Sequence, residues 1–300
     1  MKRVYCIAVT FNPAIEEFMG FVKSISPQLD KIIIIDNNSS CQRTLKEKTN
    51  QEKKINFIGN KENYGIAKAQ NQGIEIAIKE DATHVIFFDQ DSKISPDFIR
   101  HLIEEEERLI NQGINLGAIG PKIIDESSKN SIPLINYKYG IKKRIHLKSN
   151  NDTQECFSLL SSGTLIRTKI IQEIGGYKDD LFIEYVDVEW GARARSKGYK
   201  IYGTSKALIL HNLGENRINF LSITVPLHSP LRHYYTIRNG VYMQKQHHIP
   251  YYWKINDLIR LLRSFILFSL CNPPRKEQLK MMTLGMIHGI KGKMGKYKNG

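Results

Sequence analysis

Short apolar runs alternate with amphipathic segments through the first third of the chain. Residues 4–11, 31–36, 55–59 and 85–88 are rich in Ile, Val and Phe, which is typical of strands that are buried on both faces. Between the first two runs, residues 14–25 carry apolar side chains at helical spacing. This alternation predicts an α/β fold of the doubly wound, Rossmann-like kind, with a mostly parallel sheet flanked by helices.

The pattern is less regular after residue 95. The later elements predicted from spacing are a helix over 96–111, a strand over 116–124, a helix over 170–177 that ends at Gly175-Gly176, and a last strand over 207–210. We expect the acidic face of the first of these helices, residues 104–107, to be solvated. Residues 125–152 are polar and basic without periodicity, which predicts a loop or an irregular hairpin.

Positive charge is concentrated at the carboxyl end. The formal net charge is +14, and residues 217–300 contribute most of it, with 14 Lys and Arg against Asp257 and Glu277. Such a region suits a membrane surface or a nucleic acid. Because this stretch is aliphatic and has no recognised nucleic-acid-binding motif, we expect no nucleic-acid partner.

The carboxyl-terminal region also contains a strongly hydrophobic amphipathic helix over residues 255–270. It predicts either packing on the catalytic domain or an interfacial helix with Tyr251, Tyr252 and Trp253 at headgroup depth. No run approaches the roughly 18 apolar residues of a spanning helix. The four cysteines are scattered without metal-ligand spacing, as expected for reduced thiols in a cytosolic protein.

The candidate chemistry begins at residues 84–96, HVIFFDQDSKISP, where an apolar run stops at Asp89 and Asp91. Side chains two residues apart on an extended segment point to the same side, so both carboxylates can face one ligand. Two neighbouring desolvated acids repel each other unless a cation is present, and a divalent metal is the simplest such cation. The alternative is that a strand-end aspartate caps the following helix.

Other polar residues occupy predicted strand ends or turns. Asp36 follows the second strand and is either a turn carboxylate or a ligand for a base or ribose. The segment from Asn63 through Gly65 either eases a helix start or lets the backbone approach a ligand closely. His211 ends the last predicted strand, where it is either structural or a second metal ligand beside Asp91.

The order of these motifs resembles a known family. Thr10-Phe11-Asn12, Asp36-Asn37-x-Ser39, Asn63-x-Gly65-x-Ala67, Asp89-x-Asp91, Gly175-Gly176 and the acidic segment 184–190 together are similar to the inverting GT-A glycosyltransferases of family 2. Four sequence segments are similar to those of bacterial rhamnosyltransferases that build O-antigen or capsule chains: FFDQDS, FIEYVDVEW, HYYTIRN and GIKGKMGK. The resemblance runs from about residue 4 to residue 296.

For the donor, the resemblance implies that Asp36 reads the nucleotide base and Asp89 the ribose. Asp91 and His211 would hold Mg²⁺ or Mn²⁺ against the donor diphosphate. The other donor-binding residues implied are Thr10, Asn12, Asn63, Gly65 and Gln90.

For the acceptor, the resemblance implies a general base that deprotonates the attacking hydroxyl. Many members carry a Glu-Asp pair where this chain has Val186-Asp187, so Asp187 takes the base position and Glu189 is the fallback. Contacts to the acceptor or to the diphosphate are expected from Ser162, Gly163, Glu184, Trp190, Arg232 and Arg238. For Trp190, core packing is the alternative.

Together these inferences predict a GT-A catalytic domain over residues 1–216, with a nucleotide-sugar half to about 95 and an acceptor half after it, followed by a basic helical region over 217–300. The expected enzyme is cytoplasmic, peripheral on the inner face of the plasma membrane, and moves L-rhamnose from dTDP-rhamnose to a lipid-diphosphate-linked saccharide. Galactofuranose, glucose and N-acetylglucosamine are alternative sugars. A nucleotidyltransferase, or a nucleic-acid-binding protein that uses the basic tail, are alternatives of another class.

Overall fold

A computed structural model describes residues 2–50, 52–126, 128–149, 151–211, 217–220, 223–226 and 228–298. The strands are β1 (Val4–Thr10), β2 (Lys31–Asp36), β3 (Ile55–Gly59), β4 (His84–Phe88), β5 (Lys93–Ile94), β6 (Leu116–Asp125), β7 (Leu134–Lys138), β8 (Ile141–Ile145), β9 (Thr153–Cys156), β10 (Leu165–Arg167), β11 (Lys200–His211), β12 (Arg217–Phe220) and β13 (Ile223–Pro226). The helices are α1 (Ile15–Ile25), α2 (Gln42–Thr49), α3 (Ile66–Lys79), α4 (Phe98–Asn111), α5 (Thr168–Ile174), α6 (Val186–Ser196), α7 (Pro230–Gln244), α8 (Tyr251–Cys271) and α9 (Arg275–Lys291).

One mixed sheet organises the fold, with strand order β3-β2-β1-β4-β10-β6-β11-β5. The first four strands in this order are parallel to one another, and β10 runs antiparallel between β4 and β6. The pair β6 and β11 is parallel again, whereas β5 and β9 pair antiparallel with β11. The predicted α/β class with a mixed, mostly parallel sheet is confirmed.

The central strands are buried on both faces, as their continuous apolar runs predict. Alternate residues of β1 and β2 enter opposite cores: Ile7 and Ile33 pack on the α3 and α5 side, and Ala8 and Ile34 pack on the α1 and α4 side. The two cores fix the register of the strands, because a one-residue slip would exchange every side chain between them. The carboxyl ends of β1, β2 and β4 therefore meet at one edge.

Helix α4 corrects one expectation. Only half of its acidic face is solvated: Glu104 and Glu107 are exposed as expected, but Glu105 is fully buried, and Glu106 is almost so. The Glu105 carboxylate lies 2.6 Å from the Lys206 ammonium, and the Glu106 carboxylate lies 2.8 Å from His84 Nε2. These partners come from β11 and β4, so the acids attach the helix to the sheet.

Two further segments differ from the expected pattern. Within residues 125–152, Leu134–Lys138 and Ile141–Ile145 form a regular antiparallel hairpin. The last predicted strand, 207–210, is the end of a longer strand that begins at Lys200. It is long because its two halves pair with different segments: β9 and β6 with the first half, β6 and β5 with the second.

The carboxyl-terminal helices pack closely on one another. A Cβ atom at Gly285 would lie 2.5 Å from the Tyr234 carbonyl oxygen, and one at Gly289 would lie 2.6 Å from that of Arg238. Glycine at these two positions therefore lets the backbones of α9 and α7 come into contact. No helix in the described ranges is both long enough and apolar enough to cross a membrane.

Candidate active site

Residues 89–91, which follow β4, are called the acidic tip. They contact the segment that precedes β10. The Gly163 amide donates to the Phe87 carbonyl at 2.6 Å, and Ser162 Oγ accepts a long hydrogen bond from the Asp89 amide at 3.4 Å. The Ser92 and Ser162 hydroxyl groups are 2.9 Å apart. Ser162 is buried, so its position is that of a brace for the tip rather than of an exposed acceptor contact.

Gly163 is required at its position for two reasons. Its φ is +79°, in the left-handed region, and a Cβ atom there would lie 2.5 Å from the Ile209 side chain and 2.7 Å from that of Pro121. The glycine thus brings β4, β6 and β11 together. Its predicted role as an acceptor contact stays a prediction.

Asp36 is the centre of a polar network at the ends of β1 and β2. Its carboxylate is fully buried and accepts from Thr10 Oγ1 at 2.8 Å, from the Ser39 amide at 2.9 Å and from Gln42 Nε2 at 2.9 Å. The bond to Ser39 is the turn motif given above as the alternative for this residue. Base recognition by Asp36 stays a prediction, and the two oxygens already have protein donors.

The other predicted donor residues surround this network. Asn12 has a left-handed φ of 49°, and its side chain accepts from the Ser40 amide at 2.9 Å. Gln90 Oε1 accepts from the Phe11 amide at 2.9 Å and so joins the acidic tip to the end of β1. The predicted donor residues Thr10, Asn12, Asp36 and Gln90 therefore lie at one edge of the sheet.

Gly65 gives a close backbone approach, but to the protein itself. The Asn63 side chain accepts from the Gly65 amide at 2.9 Å, and a Cβ atom on Gly65 would lie 2.4 Å from the Phe182 carbonyl oxygen. That same carbonyl accepts from the Ile66 amide at 2.7 Å. The start of α3 is thereby attached to the segment 181–185, which precedes α6.

Asp187 lies in the first turn of α6. The residue is half-buried, and one carboxylate oxygen accepts from the Val188 amide at 2.8 Å. Burial raises the pKa of Asp187 to about 6, and the charges of Glu184 and Asp89 add to the rise. Asp187 is therefore electrostatically coupled to the acidic tip, although 98 residues separate it from Asp89 in the sequence.

The backbone before Asp187 is strained, because Phe182, Glu184 and Tyr185 all have φ of 64°. A single side chain holds this conformation from the α7 side: Asn239 Nδ2 lies 2.9, 2.6 and 3.0 Å from the carbonyl oxygens of residues 181, 183 and 184. Asn239 is fully buried. We call the hydrogen bonds that hold residues 181–185 the loop bracket. They are the bonds from Asn239 on α7 and the bond from the Ile66 amide at the start of α3.

Arg238 belongs to the same bracket. It is fully buried, its guanidinium donates to the Leu181 carbonyl at 3.0 Å and also to that of Gly295, and it lies over the ring of Tyr235. The prediction that Arg238 contacts acceptor or diphosphate is therefore wrong: every direction from its guanidinium is occupied by protein. Arg232 pairs with Glu184 at 2.6 Å, and a ligand role for these two stays a prediction.

Two other predicted residues are structural. Glu189 is fully buried between Arg193, at 2.9 Å, and His248, at 3.0 Å. Burial alone would raise the pKa of Glu189, but these two partners outweigh it and lower the pKa. Its geometry is thus unsuited to the fallback role of base. Trp190 packs in the core against Tyr177, which is the alternative given above.

Whether a divalent cation fits at the acidic tip depends on the side chains available there. Among the side chains that the structure describes, no three His, Cys, Asp or Glu residues form a ready-made metal site. His211 ends β11 beside Asp125, but its side chain lies outside the described residues. Asp89 acts electrostatically on Asp187, and carboxylate oxygens such as those of Asp89 and Asp91 are the ligand type that Mg²⁺ and Mn²⁺ prefer. The residue types at the tip are therefore compatible with the predicted metal.

A cavity of about 390 Å³ opens beside Asp187. Its walls come from the β7–β8 hairpin, the segment 157–160, the start of α6 and the first turns of α8. The residues that line it include Glu184, Tyr185 and Asp187 near the start of α6, and Trp253 and Arg260 on α8. The volume is within the range of small-ligand sites.

Helix α8 is joined to the segment before Asp187 by a polar group centred on buried Asp257. The Tyr185 hydroxyl donates to the Asp257 carboxylate at 2.9 Å, and Arg260 Nε donates to the same carboxylate at 2.8 Å and its Nη2 to the tyrosine oxygen. Sequence reasoning missed this group, and it took Asn239 as a possible phosphate contact rather than as the residue that holds the segment 181–184. The motif HYYTIRN contained the signal for Asn239, but nothing in it says that the amide faces backbone carbonyls.

Comparison with known proteins then decides the family. The profile of Glycosyl transferase family 2 matches residues 6–175, which is more than half of the chain. The chain belongs to this family. It is a glycosyltransferase, as the motif order predicted, and the matched residues include the acidic tip and most of the donor-side network.

Relatives extend the likeness beyond the matched region. A dTDP-rhamnosyl transferase, RfbF of Shigella flexneri, is 29% identical over 295 residues, or 98% of this chain and 97% of that protein. The low-salt glycan biosynthesis hexosyltransferase Agl10 of Haloferax volcanii is 21% identical over 273 residues, or 89% of this chain and 84% of that protein. The resemblance to family 2 transferases and to bacterial rhamnosyltransferases is confirmed.

Solved structures confirm the fold class. The first 349 residues of TarS from S. aureus match with a TM-score of 0.55 and 16% identity, over 97% of this chain and 82% of that one. GalNAc-T7 with UDP, GalNAc and Mn²⁺ matches with a TM-score of 0.57 and 14% identity, over 97% of this chain but only 58% of that one. At these identities the likeness concerns the fold alone.

Removing the hydrogen-bond donors of Asn239 should release the backbone of residues 181–185. Asn239→Asp keeps the shape of the side chain but places an acceptor against three carbonyl groups, so we expect a loss of roughly 1–3 kcal/mol in the free energy of unfolding. Hydrogen exchange of the amides at 181–185 should accelerate in the folded state. Gln246→Ala is the control, because that amide bonds only the Tyr242 carbonyl. Unchanged exchange at 181–185 in Asn239→Asp would contradict the bracket.

Proposed function

We propose that this family 2 glycosyltransferase is inverting and metal-dependent, and that it moves L-rhamnose from dTDP-rhamnose to a lipid-diphosphate-linked saccharide on the inner face of the plasma membrane. The single observation that carries the proposal is Asp187, a carboxylate of raised pKa that lines a cavity and is electrostatically coupled to the acidic tip. The choice of rhamnose is supported by the relative RfbF, which is named as a dTDP-rhamnosyl transferase.

On the donor side, we assign the nucleotide to the edge formed by Thr10, Asn12, Asp36 and Gln90. Exposed Phe11 lies at the same edge and offers a ring face for a base. Asn63 and Gly65 shape the neighbouring turn, and Asp89 faces the ribose. Because Asp36 has protein donors on both oxygens, a base imide would have to share or replace one of them.

Asp91 would hold Mg²⁺ or Mn²⁺, with His211 as a second ligand. When bound, the metal supplies Lewis-acid stabilisation of the charge that develops on the departing nucleoside diphosphate. The charge of Asp89, two residues before Asp91, contributes to the raised pKa of Asp187, so the acidic tip and Asp187 are near enough to interact. We therefore assign the anomeric carbon of the donor to the space between the acidic tip and Asp187.

Asp187 is the general base. Its ionised carboxylate accepts the proton of the acceptor hydroxyl while the hydroxyl oxygen bonds to the anomeric carbon. The bond from that carbon to the diphosphate oxygen breaks on the opposite face, which inverts the configuration, and the electron pair leaves with the nucleoside diphosphate. The loop bracket holds Asp187 at the cavity wall during this step.

Rhamnosyl transfer from dTDP-rhamnose should require a divalent cation and Asp91. In an assay of dTDP-rhamnose against UDP-galactose, UDP-glucose and UDP-N-acetylglucosamine, with and without EDTA, we expect turnover of the first donor only with Mg²⁺ or Mn²⁺. Asp91→Asn should lose at least 100-fold in turnover with little change in thermal unfolding. Full activity of this variant in metal-free buffer would overturn the metal assignment, and preference for a UDP-sugar would overturn the choice of donor.

The rate should depend on pH through Asp187. A base must be ionised to accept a proton, so kcat should fall about tenfold per unit as the pH drops below about 6. Asp187→Asn should lose roughly 10²–10⁴-fold in kcat. Because the folded pKa is raised, ionisation of Asp187 destabilises the fold as the pH rises through 6. The Asn variant should therefore unfold at a higher temperature than the wild type at pH 8, and this difference should vanish below about pH 4. A near-wild-type rate in Asp187→Asn would exclude this residue as the base.

The membrane face is assigned to the outer surface of α8. The exposed apolar residues on this helix are Tyr251, Ile255, Leu258, Ile259, Leu262, Ile266 and Leu270. Basic residues of 217–300 surround this stripe in the sequence and favour anionic lipid. Trp253 is a correction to the expected headgroup anchors, because it is buried against Phe157 at the cavity.

Binding to vesicles tests this surface. We expect full-length protein to sediment with phosphatidylglycerol vesicles, less so in high salt, and not with phosphatidylcholine vesicles. Leu258→Asp and Leu262→Asp should each weaken sedimentation at least tenfold, whereas Leu210→Asp, at an exposed leucine of β11, should not. Point variants are preferable to truncation, because removal of residues 217–300 would also remove Asn239. Equal binding to both lipids would refute the assignment.

A further inference from the structure

We propose that the cavity beside Asp187 is the acceptor site and that Lys142, Arg144 and Arg260 bind a phosphate or diphosphate of the acceptor there. The assignment rests on the proposed function and adds to it the residues that recognise the acceptor. It also gives the β7–β8 hairpin, a segment that the sequence predicted as a loop or an irregular hairpin, a direct role in substrate binding.

The position of the cavity decides which substrate it holds. Asp187 lines it, so a hydroxyl group presented from the cavity can reach the base. The donor-side residues Thr10, Asp36 and Asn63 do not line it. A molecule bound in this cavity thus contacts Asp187 without occupying the predicted nucleotide edge, which is what an acceptor requires.

The register of the hairpin determines which of its side chains face the cavity. Tyr137 is paired with Lys142, and Ile135 with Arg144. Directly paired residues share one face of a hairpin. Since Tyr137, Ile135 and Lys142 all line the cavity, Arg144 is on the same face, and Lys143 is on the other.

The charges on this face are unbalanced. Lys142 is near Arg144, Arg260 and Asp257, so three cations are grouped with one carboxylate. Partial burial and the like charges of the two arginines lower the pKa of Lys142, although the residue as a whole is solvent-exposed. Arg144 is exposed as well, and within the described part of the chain neither side chain makes a hydrogen bond or an ion pair. An anion is the ligand that removes this repulsion.

Arg260 is held in place before any ligand arrives. Asp257, which is buried, and the Tyr185 hydroxyl both bond its guanidinium. A preorganised arginine loses little freedom on binding a phosphate oxygen. Arg260 is also bonded to Tyr185, two residues before Asp187. This bond keeps the anion site and Asp187 at a fixed separation.

The rest of the cavity suits a sugar ring. Tyr137 and Trp253 supply aromatic surface, on which the C–H face of a pyranose can pack. Ser158 and Asn256 supply hydroxyl and amide groups for the ring hydroxyls. The amide of Asn256 donates to the Tyr252 carbonyl at 2.8 Å, which leaves its oxygen as an acceptor. Aromatic surface with a few polar groups is typical of such sites.

Three soluble probes test the assignment on the full chain. They are octyl-diphosphate-linked N-acetylglucosamine, octyl N-acetylglucosaminide and inorganic pyrophosphate. Saturation-transfer NMR without donor measures binding independently of turnover. We expect the diphosphate-linked sugar to bind at least tenfold more tightly than either of the other probes. Equal affinity for pyrophosphate would mean a site for a free anion, and equal affinity for the phosphate-free sugar would remove the cationic group from the site. Either result, or no binding of any probe, overturns the proposal.

Matched variants distinguish an effect of charge on the cavity face of the hairpin from an effect of charge elsewhere on the surface. Lys142→Glu should weaken the diphosphate-linked probe at least tenfold and leave the phosphate-free sugar unchanged, whereas Lys143→Glu should change neither. Asn256→Trp, which fills the cavity from α8, should abolish binding of both sugars. An equal loss in the two lysine variants, or retained binding in Asn256→Trp, contradicts the site. If the wild type turns over no nucleotide sugar, the proposed function fails while these binding results stand; normal turnover without probe binding defeats the acceptor site alone.

Discussion

The structure depends on one constraint: residues 181–185 must be held in a backbone conformation that they would not adopt alone. Three non-glycine residues with φ of 64° are costly, at roughly 1–3 kcal/mol each. The cost is offset from two directions, by the Ile66 amide at the start of α3 and by the single amide of Asn239 on α7. Asp187 follows two residues later, so its position is set jointly by the start of α3 and by α7.

Unfavourable charge groupings of opposite sign lie near residues 181–185: carboxylates in one place and cations in another. Near the end of β4, burial raises the pKa of Asp187, and the charge of Asp89 adds to the rise. At the cavity, partial burial lowers the pKa of Lys142, and the cations of the hairpin and α8 lower it further. A metal cation would relieve the first and a phosphate would relieve the second. Substrate binding would thus neutralise charge that the free protein holds apart.

The sequence predicted the elements whose burial is set by neighbours along the chain. The continuous apolar runs of β1, β2 and β4 and the acidic tip were all visible, because strands buried on both faces need no polar alternation. The order of motifs then gave the family. What the sequence did not reveal depends on partners far away in the chain. Glu105 is buried because Lys206 reaches it from β11, and Arg238 is enclosed because carbonyl groups near residues 181 and 295 surround it. Neither partner is visible from local spacing.

The two faces of helix α8 differ in their surroundings. One side gives Trp253, Asn256 and Arg260 to the cavity, and the other carries the exposed apolar stripe. None of the donor-side residues belongs to this helix or to the β7–β8 hairpin. If the cavity binds the acceptor as proposed, recombination between relatives that exchanges residues 134–145 together with 251–260 would alter which acceptor is used and leave the predicted donor-side residues unchanged. The two segments would have to be inherited together, because each completes the wall that the other begins.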